Sequence, residues 1–271
     1  MSILTFTLRN RPDQRVDMSP LTGNRLQDMQ IEDIRKLTLR CGKHRLEVAQ
    51  LFDVYGDPSD EFIIRNSCNK LDYIGKGQEF GEISVEGDTG AYLGMGMTGG
   101  KITIIGSVGI FAACEMKGGQ MEIKGNTGDF LGGPLPGNLQ GMKGGVVLVK
   151  GNVGQRAGDK MRRGTILVEG NADDYCGSRM TAGTIAVMGN TGRYLGYGMK
   201  RGTLLLWNRP DIPPTFNDCG AHTLTFLSLF FASIRGFESK FSDPVAVFNR
   251  VHRWGGDMSS SGRGELLVKI G

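Results

Sequence analysis

The hexapeptide Gly94-Met95-Gly96-Met97-Thr98-Gly99 satisfies the spacing G-x-G-x-x-G, which brings backbone close to a dinucleotide pyrophosphate when it lies between a strand and a helix. The flanks do not supply that setting. A strand-like run, "KITII", follows where the phosphate would need a helix N-terminus. Gly100-Lys101 is followed by Ile102, so the hydroxyl of a phosphate-binding loop is missing. The three histidines, His44, His222 and His252, do not pair at ligand spacing, and Cys41, Cys68, Cys114, Cys176 and Cys219 lie far apart with no C-x-x-C. That scatter argues against a zinc or iron–sulfur site. Asp173 and Asp174 are adjacent, and neighbours in an extended chain point to opposite faces, so they read as turn residues. No histidine is placed to activate Cys114 or Cys176. The chain is expected to carry no catalytic residue of its own, no metal and no cofactor.

Two features stand apart from this. The position after a recurring methionine reads Thr98, Lys117, Lys143, Arg162, Thr181 and Lys200, with Arg163 and Arg201 beside it. Like charges on neighbouring rungs repel unless counter-ions, a partner's carboxylates or an anionic ligand neutralise them. Lys117, Lys143, Arg162, Arg163, Lys200 and Arg201 are therefore either a contact stripe or a solvated edge that discourages aggregation. The second feature is an insertion, "GGPLPGNLQG" over 132–141, in which Pro134, Leu135, Pro136 and Asn138 form a candidate docking loop. Two prolines lower the entropy lost on docking. The alternative is a tolerated surface loop.

The elements that position these residues come from a repeat. Gly81, Gly100, Gly119, Gly145, Gly164, Gly183 and Gly202 are spaced by 19, 19, 26, 19, 19 and 19 residues. Each precedes a triplet such as Ile83–Val85 or Ile166–Val168, in which two apolar residues flank a variable one, the period-2 mark of a strand. A fixed period near twenty indicates a solenoid. Four or five glycines per unit forbid helical repeats, so the expected fold is all-β, a right-handed parallel β-helix of about 19-residue coils. Columns should stack: Met97, Met116, Met142, Met161, Met180 and Met199; Asp88, Ser107, Asn126, Asn152, Asn171 and Asn190 as an amide ladder; Tyr73, Tyr92, Phe111, Phe130, Arg156, Tyr175 and Tyr194 as stacked rings with one guanidinium. Gly87, Gly106, Gly125, Gly151, Gly170 and Gly189 are the expected turn glycines, needed for positive φ or close backbone approach. Asp173, replacing glycine in a second such column, is expected to tolerate the left-handed region.

Residues 1–60 read as an N-terminal cap, with a helix near "IEDIRKL" and strands around "LTLR" and "RLEVAQLF". The β-helix spans 61–207, and 208–271 is a partly helical C-terminal cap with a helix expected over "PVAVFNRVHRW" at 244–254. Glycine stands at 43 of 271 residues, 39% are hydrophobic and 22% charged, which fits a globular chain. A net charge of +4 is too mild to imply nucleic acid. The start lacks a signal peptide's apolar run, "LTFLSLFFASI" is too short to span a bilayer, and scattered cysteines suit a reducing compartment, so a cytoplasmic location is expected.

The string G-x-x-G-x-x-x-G recurs as "GDTGAYLG", "GNTGDFLG", "GNVGQRAG" and "GNTGRYLG", with two coils departing from it, "GSVGIFAA" and "GNADDYCG". It resembles the β-helix of the glutamate synthase C-terminal domain and of the C subunit of formylmethanofuran dehydrogenases. With "PPTFNDCGAHTLTFLSLFF" it looks most like the C subunit of the bacterial formyltransferase/hydrolase complexes, over roughly residues 30–235. The string is specific for the fold but shared by several branches.

The resemblance implies a structural subunit in a complex that passes formyl from formyltetrahydromethanopterin to a methanofuran-like carrier and releases formate during formaldehyde oxidation. The metal would lie in a partner chain. Implied partners are a dehydrogenase-like B subunit as nearest neighbour, an amidohydrolase A and a formyltransferase D, with neither nucleic acid nor membrane. A γ-glutamyl carrier tail would suit the basic stripe. The alternatives are the C subunit of a molybdenum or tungsten formylmethanofuran dehydrogenase, a glutamate synthase-like accessory β-helix, and, from another class, an exported carbohydrate-active enzyme.

Overall fold

In the computed structural model, which describes residues 2–270, the apolar triplets become strands that pair coil to coil. Ile83 lies opposite Ile102, Ile102 opposite Met121, and Met121 opposite Val147, all in parallel register. The 26-residue interval is absorbed without loss of register, because the extra residues leave the coil before the strand begins. The same parallel pairing continues through Arg163–Val168, Thr184–Val187 and Arg201–Leu206. A second parallel ladder of single bridges joins Thr89, Val108, Thr127, Val153, Ala172 and Thr191.

The class is all-β, with four short α-helices and two 3-10 turns among the described residues. The main sheet has thirteen strands and is mixed: its antiparallel pairs lie within 1–60 and 208–271, and the strands from Phe62 to Leu206 pair in parallel. At one end Leu4–Leu8 pairs parallel with Phe62–Ser67 and antiparallel with Phe52–Tyr55. At the other, Arg263–Lys269 continues the parallel ladder beside Arg201–Leu206, and Arg250–Gly256 and Asn217–Thr223 finish it antiparallel. A four-stranded sheet, including Thr38–Cys41 and His44–Glu47, covers the N-terminal region.

Local expectations fare unevenly. Ile31–Lys36 is helical and Thr38–Cys41 is a strand, both as expected. "RLEVAQLF" is broken by a helical turn, Val48–Leu51, closed by a capping box between Glu47 and Gln50. The helix expected over 244–254 is absent: Pro244–Ala246 forms a 3-10 turn and Arg250–Gly256 a strand. Its apolar spacing there serves two neighbours, Val251 facing one core and Trp254 another.

Both faces of the sheet are used. The flanking residues of each triplet, with the methionine column, fill the coil interior at 0–1% exposure. The middle residues point outward. They are polar in the early coils (Ser84, Thr103, Glu122) and apolar in the later ones (Leu148, Leu167, Ala186, Leu205). The second set forms a separate core with Leu227, Phe231, Ile234 and Phe241 from the helix Phe226–Ser233 and the segment after it. Trp207 packs edge-on against Phe231, Phe241 and Phe248 at 5.0–6.0 Å. The C-terminal segment therefore extends the ladder and also lies along the outer face of the later coils.

Candidate functional site

The stretch from each aromatic residue to the start of the next strand carries the cations of the stripe, Lys117, Arg162 and Lys200 in the turn and Lys143, Arg163 and Arg201 as the first residue of a strand. Its backbone alternates in hand: Tyr92, Gly94 and Gly96 all have positive φ (63°, 60° and 67°), as do Tyr73, Gly75 and Gly77. Their N–H groups find partners in both directions along the stack, Tyr92 on Ile110 O, Gly94 on Ile74 O and Gly96 on Cys114 O. That is the work of the glycines in "GMGMTG": they turn a corner, and backbone carbonyls take their N–H groups.

Left-handed backbone costs a non-glycine residue roughly 1–2 kcal/mol, yet all seven members of the aromatic column adopt it. Their stacking offsets part of that cost. Ring centroids lie 4.8 Å apart for Tyr73 and Tyr92, 5.3 Å for Tyr92 and Phe111, 4.8 Å for Phe111 and Phe130, and 4.7 Å for Tyr175 and Tyr194. Arg156 fills the gap, 6.0 Å from Phe130 and 4.4 Å from Tyr175. The polar column is a ladder of a different kind from the one expected. From Asp88 to Asn171 each side-chain oxygen accepts the backbone N–H of the next coil, as Asn126 Oδ1 does from Asn152 N and Asn152 Oδ1 from Asn171 N, both at 2.8 Å.

Of the six predicted turn glycines only Gly87 has positive φ. For Gly106, Gly125, Gly151, Gly170 and Gly189 the reason is close approach: a Cβ would lie 2.3–2.5 Å from the carbonyl oxygen of the preceding coil's glycine. Asp173 is likewise not left-handed; its Oδ1 accepts the Asp174 N–H.

Lys117, Arg162, Arg163, Lys200 and Arg201 are exposed and Lys143 is half-buried. Their backbones share the inter-coil ladder: Lys143 N–H donates to Met116 O, Arg162 to Met142 O and Lys200 to Met180 O. Lys143 lies opposite Arg163, and Arg201 opposite Arg263, which adds a seventh cation that the period alone did not indicate. Among the described residues none of the seven makes an ion pair. Cations elsewhere do pair, as Lys101 with Glu82 and Lys150 with Glu122.

The insertion joins the coil beside this stripe. Pro134 is buried, Leu135 and Gln140 are half-buried, and Pro136, Asn138 and Leu139 are exposed. Glu115 Oε1 accepts from Leu135 N at 3.1 Å and from Asn138 Nδ2 at 2.5 Å, and Lys160 Nζ donates to Asn138 O at 3.0 Å. Glu115, Lys160, Arg179 and Leu139 are not singled out by the sequence motifs. The available signal was a column that runs Gly77, Gly96, Glu115, Gly141, Lys160, Arg179 and Gly198, where charged residues replace glycine only on coils to either side of the insertion.

The groups with chemical potential remain apart. His252 Nε2 lies 2.6 Å from Asp218 Oδ1 and its ring stacks on Trp254 at 4.0 Å. Cys114 and Cys176 are buried, and burial pushes both thiols up to about 12, the wrong direction for a nucleophile. Among the described residues no group of three or more His, Cys, Asp or Glu could hold a metal, and no helix is long and apolar enough to cross a membrane. What the arrangement offers is surface: unpaired cations in register beside a braced loop.

Comparison with known proteins places this geometry. A family model described as the GXGXG motif matches residues 81–219, the region of alternating backbone hand. The C subunit of the tungsten-containing formylmethanofuran dehydrogenase 2 of Methanococcus maripaludis is 33% identical over 92 residues, 33% of this chain and 34% of the relative. The C subunit of the formyltransferase/hydrolase complex Fhc of Methylorubrum extorquens is 36% identical over 86 residues, 32% of each. The chain thus spans about a third of the length of the curated relatives it matches. The crystal structure of the formyltransferase/hydrolase complex FhcABCD from Methylorubrum extorquens, in complex with methylofuran, contains a chain that superposes with a TM-score of 0.91 at 34% identity, covering 98% of this chain and 100% of that one.

Proposed function

The chain belongs to the GXGXG-motif family, and we propose that it serves as the C subunit of a formyltransferase/hydrolase complex, a non-catalytic scaffold on which catalytic subunits assemble. One observation carries the reading: agreement over the full length, at a TM-score of 0.91 and 34% identity, with a chain of such a complex. The complex would move formyl from formyltetrahydromethanopterin to a methanofuran-like carrier and release formate in the cytoplasm. The hydrolase metal and the transferase site would lie in partner chains, the A and D subunits, with a B subunit as nearest neighbour. High-pKa thiols and dispersed histidines support a role without chemistry of its own.

In this reading the 19-residue steps are coils of a right-handed parallel β-helix over 61–207, capped by 1–60 and 208–271. Consecutive parallel pairings and the second ladder of bridges support it. Lys117, Lys143, Arg162, Arg163, Lys200 and Arg201 would meet carboxylates, either a partner's or the γ-glutamyl tail of the carrier. Cations stacked in register without counter-charges favour this over a merely solvated edge.

A second reading, the C subunit of a tungsten or molybdenum dehydrogenase, is favoured by the 33% identity to the Methanococcus protein. Purification of the native complex with mass spectrometry and metal analysis separates the two. The expected result is an amidohydrolase and a formyltransferase in fixed ratio without tungsten or molybdenum. A pterin-bearing dehydrogenase partner would establish the second reading, and a solitary monomer would remove the scaffold role.

A further inference from the structure

The backbone is left-handed at Gly77, Gly96, Glu115, Lys160, Arg179 and Gly198, one position of the repeat. Glycine holds it at both ends of the array. Around the seven-residue insertion, long charged side chains hold it instead. Glu115 accepts from Leu135 N and Asn138 Nδ2, and Lys160 donates to Asn138 O, so two of the three grip the loop from the coils on either side. Arg179 acts one step behind. It donates Nε to Asp159 Oδ1 at 2.9 Å and Nη2 to Oδ2 at 2.5 Å, and Ser178 Oγ donates to the same carboxylate at 2.7 Å. Asp159 is 1% exposed and immediately precedes Lys160. Gly141, where the loop rejoins the coil, has no room for a side chain against the Asp159 carbonyl oxygen, which a Cβ would meet at 2.6 Å.

Non-glycine residues persist in left-handed backbone only where their surroundings over-determine it, and such positions cluster at functional sites. A loop that is only tolerated needs no such brace. This one is held while Leu139, just after the turn that Asn138 N closes on Leu135 O, stays open at 82% exposure. Two residues beyond the three attachment points, Glu115, Gly141 and Lys160, lie Lys117, Lys143 and Arg162 on successive rungs. An exposed apolar side chain beside unpaired cations is complementary to an apolar socket with an acidic rim. Leu139 would supply a desolvated anchor and the charges would steer it.

We infer that residues 133–141 form a pre-shaped docking finger whose Leu139 enters an acidic-rimmed apolar socket on another protein chain of the complex. The inference rests on the proposed place of this chain in a complex and adds where and how its neighbour is engaged.

The test is co-expression of the full chain with its host's counterparts of the A, B and D subunits, with purification through a tag on one of those. Thermal melting of the free chain is followed in parallel. Leu139→Asp should leave the melt unchanged and lower recovery of this chain in the complex at least tenfold, and Leu139→Ser should lower it less. The double variant Glu115→Gly, Lys160→Gly relieves backbone strain while freeing the loop, so its melt should hold or rise as recovery falls. Wild-type recovery of Leu139→Asp, or of the double variant if the first does not fold, would overturn the finger and leave the proposed membership of the complex standing. If the wild-type chain itself is not recovered, both fall.

Discussion

Asp257 is 1% exposed, and its carboxylate takes the Gly198 N–H, the Ser259 N–H and the Ser259 hydroxyl at 2.7–2.8 Å. Gly198 is the last residue of a column whose earlier members, Gly77 and Gly96, donate to the following coil. No equivalent coil follows, so a carboxylate stands in for the missing carbonyl. Burial pushes the Asp257 carboxyl up, but the hydrogen bonds from Ser259 and Gly198 outweigh it and leave it below the ordinary carboxylate value. The folded value is therefore lower than the unfolded one. The stability it contributes is present above the unfolded value of about 3.9 and is lost as pH falls through the lowered folded value. Asp257→Ala should cost about 2 kcal/mol near neutral pH and flatten the acid limb of a denaturant-measured stability profile. An unchanged acid limb would show that the carboxylate does not cap the column.

At the scale of the element, the unit is the column, one side chain repeated on successive rungs. The methionine and aromatic columns are visible in the sequence because their period is constant and their residue types are narrow. Backbone hand is less visible. The stacked position reads as aromatic, with nothing to say that it is also left-handed, since only glycine announces positive φ. The basic column makes its prediction here. Changing Lys117, Lys143 and Arg162 to glutamate alters exposed or half-buried side chains without ion pairs, so melting should move little. Assembly or carrier retention should weaken, with reduced sensitivity to salt. Wild-type assembly, carrier content and turnover in the triple variant would make the stripe solvated surface.

At the scale of the molecule, the sheet supports two cores, and the second depends on residues far along the chain. Leu148, Leu167, Ala186, Leu205 and Leu267 meet Leu227, Phe231, Ile234 and Phe241 across the outer face. Burying each large side chain contributes roughly 1.5–3 kcal/mol. A chain ending at Trp207 would expose this face and leave Arg201–Leu206 without its parallel neighbour. It should be recovered aggregated or binding a hydrophobic dye. A soluble monomer melting within a few degrees of the full chain would make the segment dispensable.

The 19-residue period, the interior residues of each triplet and the position of the insertion were determined by sequence alone, because each depends on local geometry that repeats. Even the outer core left a trace there, in the change from Ser84, Thr103 and Glu122 to Leu148, Leu167 and Leu205 at the middle of the triplet. Tertiary structure decided what does not repeat. Arg250–Gly256 became a strand, where a helix was expected over 244–254, because Arg263–Lys269 offers it a partner, and Glu115 and Lys160 became the brace of a loop because the two coils flanking the insertion bring them to it. Those outcomes depend on contacts between residues distant in sequence, and no local pattern of residue types encodes which distant partner will be present.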